Sequence, residues 1–412
     1  MEFILQSRAG MIFKMKARIT TFGKLDQKAY EQIVRCSEHA DYAVLCADHH
    51  VGYSMPIGGA VAYKDYISPS GVGFDIACGN KAVMTDLQAN EIDVPKIMDE
   101  IVKQIGFGLG RPNPEPIEHP VLEKIAKTDF KPQKNMYALA HEQLGTVGSG
   151  NHYVDLFEDE EGRLWIGVHF GSRGFGHKTA MGFLALARGL SFGEVPKNVN
   201  NMDAPPTMLK ISSELGQDYL QAMNLAGEYA YAGRDTVVKK VLEILGAKSR
   251  FEVHNHHNFA WQEEHYGQKY WVVRKGCTPA FPEQLSFVGS TMMDNSVILK
   301  GLDSGVSKKA LYSTVHGAGR IMSRTKAAGK SKWVRGKRKH ITRGAVNFYR
   351  VKEEMKAKGI ELRGAGADEA PEVYKKLDEV IKYHKDTIKV LHVLHPIGVA
   401  MAGEDIYDPY ID

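Results

Sequence analysis

The stretch DHHVGYSMPIGGAVAYKDYISPSGVGFDIACGN, Asp48 to Asn80, sets the pattern from which the rest of the chain is read. Its glycines permit tight turns and positive φ, and within it Gly59 to Tyr63 is a short apolar run bounded by glycine, which reads as a strand. The same pattern recurs outward: Tyr42 to Ala47 before it, Lys81 to Thr85 directly after it, then Leu164 to Phe170, Tyr270 to Arg274 and Ser296 to Leu299. Most of these runs lead straight into a turn containing Gly or His. Helical periodicity is clearest over Val94 to Ile105, over Leu209 to Leu245 as two helices broken near Gly233, and over Pro371 to Leu394. Strands and helices alternate without a strict βαβ rhythm. The expected fold is therefore mixed α/β (α+β), one large body with mixed sheets, surrounding helices, and functional loops at strand ends around a central cleft. The segment GLGRPNPEPIEHP at Gly108 to Pro120 reads as a surface excursion, not an interdomain linker.

Composition narrows the function classes. The 412 residues are 43% hydrophobic and 25% charged, which excludes a disordered chain. The 53 basic and 49 acidic residues nearly cancel to +4, so any attraction to a polyanion must come from where the charge sits. The cysteines Cys36, Cys46, Cys78 and Cys277 form no CxxC pair and no disulfide framework, which fits a reducing, cytoplasmic compartment. The opening MEFILQSRAGMIFKMKARITTFG is broken by Arg8, Lys14, Lys16 and Arg18 and offers no signal-peptide core. No run approaches the roughly 18 uncharged apolar residues that would span a bilayer, so a soluble protein without membrane association is expected.

Metal chemistry is the first functional theme. Asp75, a hard oxygen donor, and Cys78, a soft sulfur donor, are three residues apart and can converge on one ion across a turn. Alone, this D-x-x-C equally describes an inert buried cysteine beside a loop carboxylate. Three further turns each bring histidine: GSGNHYVDL with His152, VHFGSRGFG with His169, and VHNHHNFA with His254, His256 and His257. Asn151 and Asn258, beside their histidines, could fix imidazole tautomers. One Cys, one Asp and three His exceed the needs of a single tetrahedral ion, so two metals sharing a bridging Cys78 thiolate is the economical reading. Ligand softness favours Zn²⁺ over Mn²⁺.

Phosphate chemistry is the second theme. In STVHGAGRIMSR, Ser313 to Arg324, His316 precedes a small-residue loop, Gly317-Ala318-Gly319, whose N–H groups could cradle phosphate, followed by Arg320 and Arg324. A histidine facing phosphorus can be a ligand, a general base or a nucleophile. Between Asp303 and Glu353 there is no carboxylate, whereas cations are dense, and KSKWVRGKRKHITR interleaves Trp333 with Lys337, Arg338 and Lys339. That combination suits phosphate contacts and base stacking on looped or single-stranded RNA, with a solvated basic loop as the plain alternative.

These residues resemble the RtcB-type RNA ligases. DHHVGYSMPIGG, ISPSGVGFDIACG, GTVGSGNHYVDL, VHFGSRGFG, HHNF, RKGC and HGAGRIMSRTKA follow the family's order through most of the chain. The resemblance implies the family's own α/β fold, two Mn²⁺ ions, GTP as co-substrate, and joining of RNA ends bearing 3′-phosphate or 2′,3′-cyclic phosphate to 5′-hydroxyl ends. By that resemblance Asp75, Cys78 and His152 hold one manganese, Cys78, His169 and His257 hold the other, and His316 is the guanylylated nucleophile. Arg173, Arg320 and Arg324 match phosphate-side positions, and Asn151 and Asn258 match nucleotide or metal-supporting ones. The base-reading positions depart from the family. Asp155 stands for its glutamate, Gly289-Ser290-Thr291-Met292 for its GSMG turn, Asn295 for a serine, and Met401-Ala402-Gly403 for a valine-lysine-glycine. The implied organisation is one catalytic domain over 1–412, with a basic RNA-binding segment at 304–352 and an acidic tail at 404–412. A metal-dependent RNA phosphoesterase, a ligase of altered nucleotide specificity and a non-catalytic RNA-binding repair scaffold are the competing readings.

Overall fold

Two mixed sheets are joined through a single residue, His257, which lies between the strands Ser249–His256 and Asn258–His265. The structure, a computed structural model, describes residues 4–6, 12–14, 17–199, 201–334, 337–404 and 406. The eight-stranded sheet runs Ser249–His256, Gly79–Gln88, Arg163–Phe170, Tyr153–Glu158, Ile388–Gly403, Ser296–Gly301 and Leu285–Val288, with Glu361–Ala365 pairing in parallel on Ile388–Gly403. The five-stranded sheet runs Asn258–His265, Gln268–Lys275, Ile57–Tyr63, Ala40–His50 and Arg18–Thr21. The eight-stranded sheet curls until its ends meet: Asn80 and Asn255, register partners at one end, bind the carbonyl and the N–H of Phe287 at the other. Phe157, Trp165, Val253, Phe287, Ile298 and Leu394 fill one core of this sheet. The architecture is the α+β arrangement expected, and each of the six expected strands is present.

Of the expected helices, Val94–Gln104 forms, with Asp93 capping the Lys96 N–H and Met98 and Ile101 facing the core. The second expectation is corrected. Leu209–Lys210 is a short strand, and Glu214–Leu245 is one unbroken helix, started by the Ser213 cap and ended by Gly246 in the left-handed region. Gly233 does not break it, because there the helix crosses from one sheet to the other. Tyr219 and Tyr229 pack in the core beside the five-stranded sheet, while Val237 and Val241 pack against Val83, Ile166 and Val168 of the eight-stranded one. A Cβ on Gly233 would lie 3.3 Å from the Phe170 ring, so this position serves close packing. The third expectation is also corrected: only Leu377–Lys382 is α-helical in that region, and Ile388–Gly403 is a strand. Pro396 is accommodated at a register shift between Pro396 and Gly398. The Gly108 to Pro120 segment lies largely on the surface.

Candidate active site

The turn after Pro69–Val72 delivers the first candidate ligands. The Cys78 N–H donates to Asp75 O at 3.0 Å, and Ala77 takes φ +58°, so Asp75 and Cys78 emerge side by side where Gly79–Gln88 begins. His152 precedes the strand Tyr153–Glu158, His169 lies near the end of Arg163–Phe170, and His257 lies at the junction of the two sheets. Cys78 Sγ is 3.7 Å from His152 Nε2 and 3.6 Å from His169 Nε2, and Asp75 Oδ2 is 3.1 Å from His152 Nε2. Donor atoms of Asp75, Cys78 and His152 lie within 4.8 Å of one another, and so do those of Cys78, His169 and His257. Both groups share Cys78. His254 and His256, from the same histidine run, are not part of either group and instead accept hydrogen bonds from Arg234.

These residues fit a pair of divalent cations. Asp75 Oδ2, which faces His152 Nε2 and Cys78, is buried without a hydrogen-bond partner. Burial pushes His169 and His257 well below the usual imidazole range, leaving neutral rings with a lone pair to give. Burial, with Asp75 nearby, pushes the Cys78 thiol up, so a bound cation would be what makes a thiolate favourable there. Behind the turn, fully buried Arg234 donates to Ala77 O at 3.0 Å and to Phe170 O at 2.5 Å, tying together the chain segments that carry Cys78 and His169.

His316 stands beside the second group, its ring centroid 4.9 Å from that of His257. Its Nδ1 and backbone N–H both meet Oδ2 of the fully buried Asp48, at 2.7 and 3.0 Å. Burial would raise the Asp48 carboxyl, but the bonds from His316 outweigh it and hold it below its ordinary value. A carboxylate only accepts, so Nδ1 carries a proton, and in a neutral ring the lone pair then lies on Nε2. The geometry needs glycine at two points: a Cβ on Gly276 (φ +54°) would lie 3.0 Å from His316 Cε1, and one on Gly319 (φ +81°) 2.0 Å from Asp48 O.

A family model described as tRNA-splicing ligase RtcB matches residues 30–132 and 117–402. The chain belongs to the RtcB family. It is 28% identical to the RNA-splicing ligase RtcB of Escherichia coli (strain K12), over 85% of this chain and 87% of that protein. It is 32% identical to RNA-splicing ligase RtcB homolog 1 of Entamoeba dispar, over 81% of this chain and 74% of that one. It is also 30% identical to the tRNA-splicing ligase RtcB of Archaeoglobus fulgidus, over 87% of each.

Around this RtcB-family centre the remaining expected residues are placed unevenly. Asn151 Nδ2 lies 3.4 Å from His169 Nε2, and Asn258 receives the Gly276 N–H at 2.6 Å while donating to Asp75 O at 3.3 Å. Arg173 is buried, bonded to Thr146 Oγ1 and Gly108 O. Asp155 is buried with Oδ1 unpartnered, and burial raises its carboxyl well above the usual range. Ser290 Oγ is likewise buried and unpartnered, whereas Asn295 Oδ1 is held 2.8 Å from His395 at the surface. Gly317 is open, with only Gly289 O near its Cβ position, and Ala318 is buried.

Arg320 and Arg324, expected on the phosphate side, are paired with carboxylates. Arg320 pairs with Glu369 and Tyr374, and Arg324 with Asp368 and Glu369, because the short helical turn Ala367–Glu369 brings both carboxylates between them. The Arg324 guanidinium also lies against Gly150, next to Asn151. In the basic segment, Ser331–Val334 and Lys337–His340 form a hairpin with Lys339 exposed; the side chains of Lys337 and Arg338 lie outside the described residues, as do residue 405 and residues 407–412 of the acidic tail. Sequence reading missed Asp48, Asn80 and Arg234 as supports of the site. Asp48 opens the DHH run quoted first, which is the only local signal any of them offers.

Proposed function

We propose that this RtcB-family chain is an RNA ligase that joins 3′-phosphate or 2′,3′-cyclic phosphate RNA ends to 5′-hydroxyl ends, using GTP, two Mn²⁺ ions and a guanylyl-His316 intermediate. The observation that carries the reading is His316 itself: Nδ1 is engaged by Asp48, and the ring abuts His257 of a two-cation ligand cluster. His316 Nε2 attacks the α-phosphorus of GTP, an N–P bond forms, the α–β P–O bond breaks and pyrophosphate leaves. Asp48 stays ionised and offsets positive charge on the imidazole. An oxygen of the RNA 3′-phosphate then takes the guanylyl group from His316, a cyclic end first being opened by water. The 5′-hydroxyl oxygen next attacks the activated phosphorus and GMP leaves. When bound through Asp75, Cys78, His152, His169 and His257, the cations supply positive charge against the phosphate charge that develops. Softness of the shared thiolate leaves Zn²⁺ as the alternative metal.

RNA is expected along the 304–352 segment of a single catalytic domain, where no carboxylate interrupts the cations. A cytoplasmic location accords with four free cysteines. Among the described residues no helix is long and apolar enough to cross a membrane.

The test is incubation with Mn²⁺ and α-labelled GTP, ATP, CTP or UTP in turn. A covalent adduct is expected with GTP and absent from His316→Ala; no adduct with any of the four refutes the reading. A second reading, ligation with altered base choice or phosphate-ester hydrolysis without a nucleotide, is favoured by the base-reading positions: Asp155 is buried and its carboxyl raised, Asn295 is tied to His395, and Ala402 replaces a cation. An adduct strongest with another nucleotide supports altered choice. End-trimming of matched RNA fragments without joining supports hydrolysis.

A further inference from the structure

We infer that Asn80 is a positioning residue that fixes His169 as its Nδ1–H tautomer, so that the Cys78, His169 and His257 group is ready for a cation and is the tighter of the two sites. The ranking rests on the two-cation reading above; the tautomer does not.

Asn80 is fully buried two residues beyond Cys78, and in the sheet it is the register partner of His169 on one side and Asn255 on the other. Its amide has one possible orientation. Phe287 O can only accept, and Asn80 Nδ2 donates to it at 2.9 Å; flipping the amide would set two oxygens against each other. Phe287 cannot swing away, because its own N–H donates to Asn255 Oδ1 at 3.0 Å. Asn80 Oδ1 therefore faces His169 Nδ1 at 2.5 Å, and an oxygen there requires a proton on that nitrogen. In a neutral ring the lone pair then lies on Nε2, the atom 3.6 Å from Cys78 Sγ. Asn151 Nδ2, a donor, lies 3.4 Å from the same Nε2, which is consistent with an acceptor there.

His152 lacks such support: its Nε2 faces Cys78, and its Nδ1 is buried and unpartnered. Asn80 thus holds the distal nitrogen of His169 before any ion arrives, whereas the distal nitrogen of His152 has no partner. Holding a ligand's tautomer and ring plane removes an ordering cost from binding, and loss of such a partner typically weakens metal affinity about 10–100-fold.

The experiment uses the full-length chain. Long-range ¹H–¹⁵N spectra of the metal-free protein, with His169 assigned through His169→Gln, read the tautomer; Mn²⁺ titration followed by loss of the free-ion electron spin resonance signal reads the affinities. Nδ1–H with an unprotonated Nε2 is expected, together with one tight and one weaker Mn²⁺ class. Asn80→Leu should weaken the tight class by about 10–100-fold and spare the weaker one. Asn80→Asp keeps an acceptor for His169 but sets an oxygen against Phe287 O, so it should weaken the tight class less than Asn80→Leu does. Asn255→Leu removes the other bond to Phe287 but leaves Asn80 in place, so it should lower the melting temperature and weaken the tight class less than Asn80→Leu does. An Nε2–H tautomer in the parent protein, unchanged affinity in Asn80→Leu, or an equal loss in Asn255→Leu overturns the inference. A parent chain that takes up no Mn²⁺ overturns the metal reading and the ranking with it, while the metal-free spectrum decides the tautomer in either case.

Discussion

Asp48 has two jobs at His316 that a substitution can separate. One is geometric, because Oδ2 holds both Nδ1 and the backbone N–H of His316. The other, on the proposed mechanism, is electrostatic: its charge would offset the positive charge the imidazole gains if Nε2 bonds to phosphorus. Asp48→Asn keeps an oxygen in place but removes the charge, whereas Asp48→Ala removes both. The rate of adduct formation at saturating GTP should fall by about 10²-fold in Asp48→Asn and further in Asp48→Ala, with bound Mn²⁺ unchanged in each. Equal rates in the parent and Asp48→Asn would show that only the tautomer matters. The contrast with the candidate metal ligands explains what could be read beforehand. Cysteine and histidine beside glycine-rich turns announce themselves locally. Asp48 lies 268 positions from His316 and Asn80 lies 89 positions from His169, so their roles exist only through strand register.

At the scale of elements, the helix Glu214–Leu245 is a strut laid across both sheets, and Arg234 is where it bears on the ligand loops. Its fork binds the carbonyls of Ala77 and Phe170 while Nε and Nη2 reach His254 and His256. Lysine keeps the charge but cannot span four acceptors. Arg234→Lys should cost about 2 kcal/mol or more in urea unfolding, since buried acceptors are left unpaired, and should lower metal content. Arg250→Lys, at a side chain 64% exposed, should stay within about 0.5 kcal/mol. If the two variants unfold alike, Arg234 is not the strut's bearing point. The same helix shows why glycine misled the sequence reading: Gly233 serves the approach of Phe170 and leaves the helix intact. Along Ile388–Gly403 the largely apolar run IKVLHVLHPIGVAMAG fits a buried helix or a buried strand equally. Only pairing with Tyr153–Glu158 and Ser296–Gly301 decides between them.

Over the whole molecule, stability is tied to pH through histidines that fold away uncharged. Burial lowers His50 and His384 to about 4 and His254 to about 3. In the unfolded chain each titrates near 6.5. Between that value and the folded ones the unfolded state binds protons that the folded state refuses, so stability is full above about pH 6.5 and falls as the solution is acidified toward pH 4. Each such histidine steepens the fall by up to about 1.4 kcal/mol per pH unit. His384 is the cleanest one to remove: it stacks on Phe22 at 4.3 Å and its Nε2 accepts the Ala47 N–H at 3.1 Å. His384→Gln retains an acceptor there and does not titrate. The variant should be less stable at pH 7, having lost the stacking contact, yet lose less on going to pH 4.5. Urea unfolding of the metal-free protein at half-unit pH steps would show two curves that converge. Parallel curves would mean that His384 takes up its proton in the folded state as readily as in the unfolded one.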